Sequence, residues 1–121
     1  MSEIDLAWAA GLFEGEGCFS YHRKAGGGIQ TQAIMTSTDL DVLERFQEVV
    51  GMGKIRSKNP KVHELGKKDA WAWQVTSEME FRKLGVMLWV HLGKRRKARF
   101  MEILDILDNR VDGRTTRYQS A

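Results

Sequence analysis

The stretch Ala7–Phe19 constrains this chain most, because it combines small residues at helical spacing with two neighbouring acids. Ala7, Gly11 and Gly15 stand four residues apart, so on a helix they form one narrow stripe with Ala10 beside it. Gly11 costs about 1 kcal/mol against alanine in a helix interior, whereas a stripe without side chains lets another backbone approach closely. The pattern predicts a helix over residues 4–16 that presents small residues to a neighbour.

Two carboxylates, Glu14 and Glu16, fall on the last turn of this helix, which Gly17 is placed to end. That end of a helix dipole is negative, so each carboxylate is disfavoured by a few tenths to about 1 kcal/mol. A divalent cation would turn the repulsion into attraction. The alternative is an ordinary amphipathic helix that frays at Gly15 and carries two solvated glutamates, and spacing alone does not decide between them.

Composition sets the broad class of protein. A chain of 121 residues with 42% hydrophobic and 29% charged residues is typical of one globular domain. No apolar run approaches the roughly 20 residues of a membrane span, and Cys18, the single cysteine, cannot form an intramolecular disulfide. We expect a soluble intracellular protein, in a prokaryotic cytoplasm or an organelle. The net charge of +3 is mild, so the placement of the charges must carry any argument for a nucleic-acid partner.

The remaining periodicities predict an α+β fold. Strands are predicted over residues 18–24, 29–36, 54–58 and 71–75, and helices over 39–50, 78–90 and 94–107, with a polar loop from Asn59 to about Asp69. This order gives an αββαββα core with a four-stranded antiparallel sheet, helices on one face, and an extra C-terminal helix. We expect a single domain over residues 1–107 and a polar tail over 108–121.

Strand alternation places basic and amide side chains on the sheet face away from the helices. Arginine and glutamine can pair bidentately with guanine and adenine edges, and lysine neutralises phosphate. The alternative is a solvated sheet face, but such a face usually carries acids as well, and the first three strands place none here. The predicted nucleic-acid contacts are Ser20, His22, Lys24, Gln30, Gln32, Lys54, Arg56, Lys58, Ala72 and Gln74.

The run Ala9–Gly17, AAGLFEGEG, resembles the signature of the LAGLIDADG homing endonucleases. It departs from that signature at Ala9, which replaces the first leucine, and at Glu14 and Glu16, which replace aspartates. The resemblance covers about residues 6–107 and implies a curved sheet lying in the DNA major groove. Because the motif occurs once, it also implies a homodimer whose motif helices pack together, with interface residues Ala7, Ala10, Gly11, Glu14 and Gly15.

The resemblance further implies hydrolysis of both strands of a long, roughly palindromic DNA site. Glu16 would bind the catalytic Mg²⁺, or Mn²⁺ in its place, assisted by the Gly15 carbonyl, while Glu14 would have a structural role. Lys94, in the basic segment after the third helix, would stabilise charge on the phosphate; its alternative is a solvated or phosphate-contacting helix start. The polar residue that the family often carries after its second strand has no clear match in residues 35–37.

Other functions stay open at this point. A nuclease-dead relative could act as a DNA-binding regulator or as an intron RNA maturase, and a small α+β interaction domain would bind no nucleic acid at all. The three histidines lack metal-ligand spacing. Trp71, Trp73 and Trp89 are predicted to lie in the core rather than to stack on bases.

Overall fold

The structure, a computed structural model, describes residues 2–58 and 69–110 and confirms the predicted order. The predicted loop over residues 59–68 and the tail from residue 111 lie outside the described residues. The α-helix predicted to reach residue 90 ends at Leu88 and continues as a 3₁₀ turn. The elements are α1 (Glu3–Glu16), β1 (Gly17–Arg23), β2 (Ile29–Ser37), α2 (Leu40–Val50), β3 (Lys54–Ser57), β4 (Trp71–Val75), α3 (Glu78–Leu88), the 3₁₀ turn (Trp89–His91) and α4 (Lys94–Asp108).

Local signals explain most helix ends. The Ser77 side chain accepts a hydrogen bond from the Glu80 amide at 3.1 Å, as the sequence predicts for the start of α3. Gly51 ends α2 with φ of 70°, a left-handed conformation that favours glycine. No side-chain hydrogen bond caps the start of α2 at Asp39, and the Ser37 hydroxyl accepts a hydrogen bond from the Asp39 amide at 2.9 Å.

The four strands form one antiparallel sheet in the order β1-β2-β4-β3. Ser20 lies opposite Gln32, and Gln74 lies opposite Lys54, so these side chains share one face. The other face is buried beneath the helices through Phe19, Ala33, Met35, Trp73 and Val75. The helices therefore cover one face of the sheet and leave the polar face open.

An aromatic cluster fixes α1 and α4 against this sheet. The ring of Phe19 lies 4.9 Å from that of Phe13 on α1 and 5.1 Å from that of Phe100 on α4. Trp73 is fully buried and donates its indole N–H to the Met52 carbonyl at 2.9 Å, which confirms its predicted place in the core. Trp71 and Trp89 are partly buried against the same core.

Ion pairs join the start of α3 to the end of α4. Glu78 accepts hydrogen bonds from Arg82 at 3.0 Å and Arg110 at 2.7 Å, and Arg82 also pairs with Asp108 at 2.8 Å. Burial by itself would raise the pKa of Glu78, but the two guanidinium groups outweigh it and hold the pKa below its usual value of 4.5. This pairing therefore stabilises the fold above that pH, and the stabilisation is lost as pH falls through the lowered pKa.

Gly85 of α3 packs directly against the Phe100 ring of α4, and we expect Gly85→Ala to destabilise the protein. A Cβ there would lie 2.0 Å from the tip of the Phe100 ring, which is itself held by Phe19, Phe81 and Trp89. Overpacking of this kind costs about 1–3 kcal/mol, and the better helix propensity of alanine returns only about 1 kcal/mol. Denaturant unfolding should show a lower free energy of unfolding for Gly85→Ala than for the parent.

Shortening the ring gives the matched test of this prediction. Phe100→Leu removes the atoms that the new Cβ would strike, so the double variant should lose less than the two single losses added together. Additive losses would show that the contact with the ring is not the cause.

Candidate nucleic-acid interface and metal site

The open sheet face carries eight of the ten predicted nucleic-acid contacts, and the other two, Lys24 and Lys58, directly follow the ends of β1 and β3. Cross-strand partners place them in rows: His22 with Gln30, Ser20 with Gln32, and Lys54 with Gln74. Among the described residues, no acidic side chain of β1, β2, β3 or β4 interrupts this face. Arg56 and Ala72 form the row next to Lys54 and Gln74. The face therefore carries two cations on β3, Lys54 and Arg56, and amide groups on β2 and β4.

Two features of this face differ from a continuous row of unengaged polar side chains. The Gln30 amide is engaged, donating to the Thr76 carbonyl at 2.6 Å, which ties β2 to the end of β4. Ile34 and Cys18, directly opposite each other, place an apolar and a thiol side chain among the polar ones. Strand alternation along β2 also places Ile34 and Thr36 on this face, so applying it as far as the end of the strand would have predicted both positions.

Glu16 lines a cleft of about 380 Å³ between the end of α1, the end of β2 and the start of α2. Within the described residues no hydrogen bond or ion pair engages the Glu16 carboxylate. The opposite wall of the cleft carries three hydroxyl side chains and one acid: Thr36, Ser37, Thr38 and Asp39. The segment that offered no clear match in the sequence thus supplies hydroxyl groups beside Glu16.

Glu14 has a different partner from its neighbour Glu16. Its Oε1 accepts a hydrogen bond from the Gly93 amide at 2.7 Å, and its backbone carbonyl accepts one from Arg96 Nε at 3.3 Å. These two bonds hold the start of α4 against the last turn of α1. The Glu14 side chain, predicted to lie in the dimer interface, is therefore turned toward α4 of its own chain.

The four basic residues at the start of α4, residues 94–97, differ in whether their side chains contact the rest of the protein. Arg96 is bound to α1, and Lys97 lies 5.3 Å from the centroid of the Trp89 ring. Lys94 and Arg95 are exposed, and no ion pair within residues 2–58 and 69–110 occupies either of them. Because Gly93 is fixed to Glu14, Lys94 and Glu16 each lie within two residues of one contact. The contact therefore joins the segment that carries Glu16 to the segment that carries Lys94.

The small-residue stripe of α1 is partly as predicted. Ala7, Gly11 and Gly15 are exposed, and a Cβ added at either glycine would meet no atom within 4 Å. Ile4, 79% exposed, extends the same stripe by one turn. Ala10 was wrongly placed with this group, because its side chain is 0% exposed and packs in the core of its own chain. It precedes Gly11 by one residue and so points about 100° away around the helix.

The residues at the end of α1 fit a hard divalent cation. The Glu16 carboxylate, which has no partner within the described residues, and the adjacent Gly15 carbonyl are the oxygen ligands that Mg²⁺ prefers, and this cation keeps several waters. Among the described residues, no group of three or more histidines, cysteines and acids could hold a metal alone. One chain would therefore supply a minority of the ligands, and water, phosphate oxygens or a second chain would supply the others.

The chain belongs to the LAGLIDADG family, since the model of the LAGLIDADG-like domain matches residues 3–87. Residues 9–17 of the motif and all four strands fall within that match. No curated protein is similar to the chain at the level of sequence.

Solved homing endonucleases share the fold. I-CvuI in complex with its target superposes with a TM-score of 0.70 and 17% identity, covering 87% of this chain and 66% of that one. The archaeal intron-encoded I-Vdi141I complexed with DNA superposes with a TM-score of 0.69 and 23% identity, covering 88% of this chain and 70% of that one. The group I intron-encoded I-CeuI complexed with DNA superposes with a TM-score of 0.67 and 18% identity, covering 89% of this chain and 57% of that one. The chain thus spans about two thirds of the length of these relatives, and identities this low establish the fold alone.

Structures of I-CvuI were determined with 2 mM Ca and with 2 mM Mg.

In the part of this chain that the structure describes, no helix is long and apolar enough to span a membrane.

Proposed function

We propose that the chain is a site-specific DNA endonuclease that acts as a homodimer and hydrolyses both strands with a divalent metal, Mg²⁺ or Mn²⁺. The observation that carries this proposal is the Glu16 carboxylate, which stands without a partner among the described residues, in a hydroxyl-lined cleft. The segment joined to the end of α1 carries the exposed cation Lys94, and the neighbouring sheet face carries basic and amide side chains. We place the endonuclease domain within residues 1–107.

Each group then has one task. Glu16 and the Gly15 carbonyl would hold the cation, which when bound supplies charge stabilisation and lowers the pKa of a coordinated water. Lys94 places a positive charge where negative charge develops on the scissile phosphate. The hydroxyls of Thr36, Ser37 and Thr38 line the cleft and can orient the attacking water by accepting or donating a hydrogen bond.

The polar face would bind the DNA. Lys54, Arg56, Lys58 and Lys24 neutralise phosphates or contact guanine, while His22 and Gln74 contact base edges and Ser20, Gln30 and Gln32 support them on the same face. A homodimer repeats this face about a two-fold axis, so the bound site should be a rough palindrome. The exposed small stripe of α1 is the surface that we assign to the second copy, through Ala7, Gly11 and Gly15.

The test uses the uninterrupted DNA that flanks the chain's own gene. With Mg²⁺ we expect cleavage of both strands, and with EDTA we expect binding without cleavage, because the sheet contacts need no metal. Binding should weaken steeply as salt rises, since cations on the protein release counterions from DNA.

The two outcomes that oppose the proposal point to different alternatives. Tight binding without cleavage in any divalent metal would favour a DNA-binding regulator or an intron RNA maturase. No salt-dependent binding to DNA would favour an interaction domain without nucleic acid.

A further inference from the structure

Three polar side chains on the open sheet face are joined into one chain of hydrogen bonds. The Ser20 hydroxyl on β1 donates to Gln32 Oε1 on β2 at 3.4 Å, and Gln32 Nε2 donates to Gln74 Oε1 on β4 at 3.0 Å. All three side chains are half-buried. The bonds cross three neighbouring strands, so residues far apart in the sequence are connected at one surface.

Both bonds run in the same direction, from Ser20 to Gln32 to Gln74, and this is how the two amides face in this structure. Turning the Gln32 amide over by itself would place its oxygen against the Gln74 oxygen, so the second bond would be lost. Only turning both amides together keeps two bonds, and that reversed chain would leave the Gln74 oxygen, an acceptor, at its end. The oxygen of Gln74 is directed toward β2. Its amino group is left as the donor end of the chain, and within the described residues no hydrogen bond uses it.

Lys54 stands directly opposite Gln74 on the neighbouring strand β3. It is exposed, and no acid among the described residues pairs with it. Two neighbouring residues of the open face thus carry an ammonium group and an amide N–H₂ group. Both are donors, whereas the usual contact of glutamine with adenine needs its oxygen to face the base as an acceptor.

We propose that Ser20, Gln32 and Gln74 act as one reader, which we call the amide relay, and that its donor end with Lys54 selects guanine. Guanine presents two adjacent acceptors, O6 and N7, in the major groove, and it is the base edge that matches two neighbouring donors. This inference rests on the proposed DNA-binding function and deepens it by naming the base. It makes Gln32 a positioning residue for a base that Gln74 and Lys54 contact.

The test selects bound sequences from a pool of random duplexes, with cleavage prevented by EDTA. The position read by Gln74 is identified as the one whose preference disappears in Gln74→Met, and Lys54→Met should weaken the same position. In the parent protein we expect guanine there. In Gln32→Met the freed Gln74 amide can rotate, so the preference for guanine over adenine should fall about tenfold, within the 1–3 kcal/mol that one base contact contributes.

His22→Ala is the matched control, because His22 lies on the same face and has no hydrogen bond to the relay. Its effect should stay at its own base position and leave the position read by Gln74 unchanged.

Three outcomes would count against the relay. A base other than guanine in the parent would overturn the assigned specificity, and a Gln32→Met profile that leaves the Gln74 position unchanged would overturn the coupling. If the parent enriches no sequence at all, the proposed DNA-binding function fails, and the relay has no base to read.

Discussion

Replacing Glu16 with glutamine should lower cleavage of both DNA strands by at least about 100-fold, the upper end of what losing even an outer-shell partner of a metal costs. The glutamine keeps the size of the side chain but removes the charge that would hold the cation. Binding to DNA should be retained, because the open sheet face is built from other residues. Gel-shift titration and cleavage of a plasmid carrying the site measure the two quantities separately.

Glu14→Gln is the matched control for this prediction. It makes the same chemical change two residues earlier, but a glutamine oxygen can still accept the hydrogen bond from the Gly93 amide. We expect most of the cleavage to remain in Glu14→Gln and to fall in Glu14→Ala, which releases the start of α4. Equal losses in Glu14→Gln and Glu16→Gln would contradict the separate tasks that we give these two acids.

A bulky side chain on the stripe of α1 should have the second large effect. In Gly11→Leu the new side chain projects from an exposed position where a Cβ meets no atom within 4 Å, so the fold of one chain has room for it. A second helix could no longer approach closely, and the homodimer should be lost. Sedimentation velocity should then show a monomer, while circular dichroism and unfolding show a folded protein.

Loss of the dimer should also abolish cutting of the full site, because each copy supplies one Glu16. Lys83→Leu, which adds the same side chain at an exposed position of α3, should leave the dimer intact. A parent protein that is monomeric at all concentrations, or a dimeric Gly11→Leu, would refute the assignment of this surface.

Local sequence patterns predicted the features that are determined within a single helix or strand, such as which face a residue lies on and where a helix ends. Alternation in β1 and β2 placed Phe19 and Ala33 inward and Ser20 and Gln32 outward, because successive strand residues point to opposite faces. The start of α3 at Ser77 and the end of α2 at Gly51 follow from capping chemistry that is contained within four residues.

Contacts between distant elements could not be predicted in this way. The hydrogen bond from Gly93 to Glu14 depends on where α4 docks, and the hydroxyl-lined cleft of Glu16 depends on how α2 begins beside α1. The amide relay depends on the pairing of β2 with β4, which the sequence does not determine locally. Ala10 shows that such a prediction can fail even within one helix. It adjoins the exposed stripe in the sequence, but its side chain faces the core.

The contact between Glu14 and Gly93 also bears on when, during synthesis and folding, the chain could first cleave DNA. The two residues are 79 positions apart in the sequence, so this contact closes one of the longest loops in the fold. During synthesis the N-terminal motif and its acids emerge long before the basic start of α4. The acid and the cation can adjoin only after α4 has docked, so a nascent chain that exposes the motif does not yet hold the arrangement that we propose for cutting DNA.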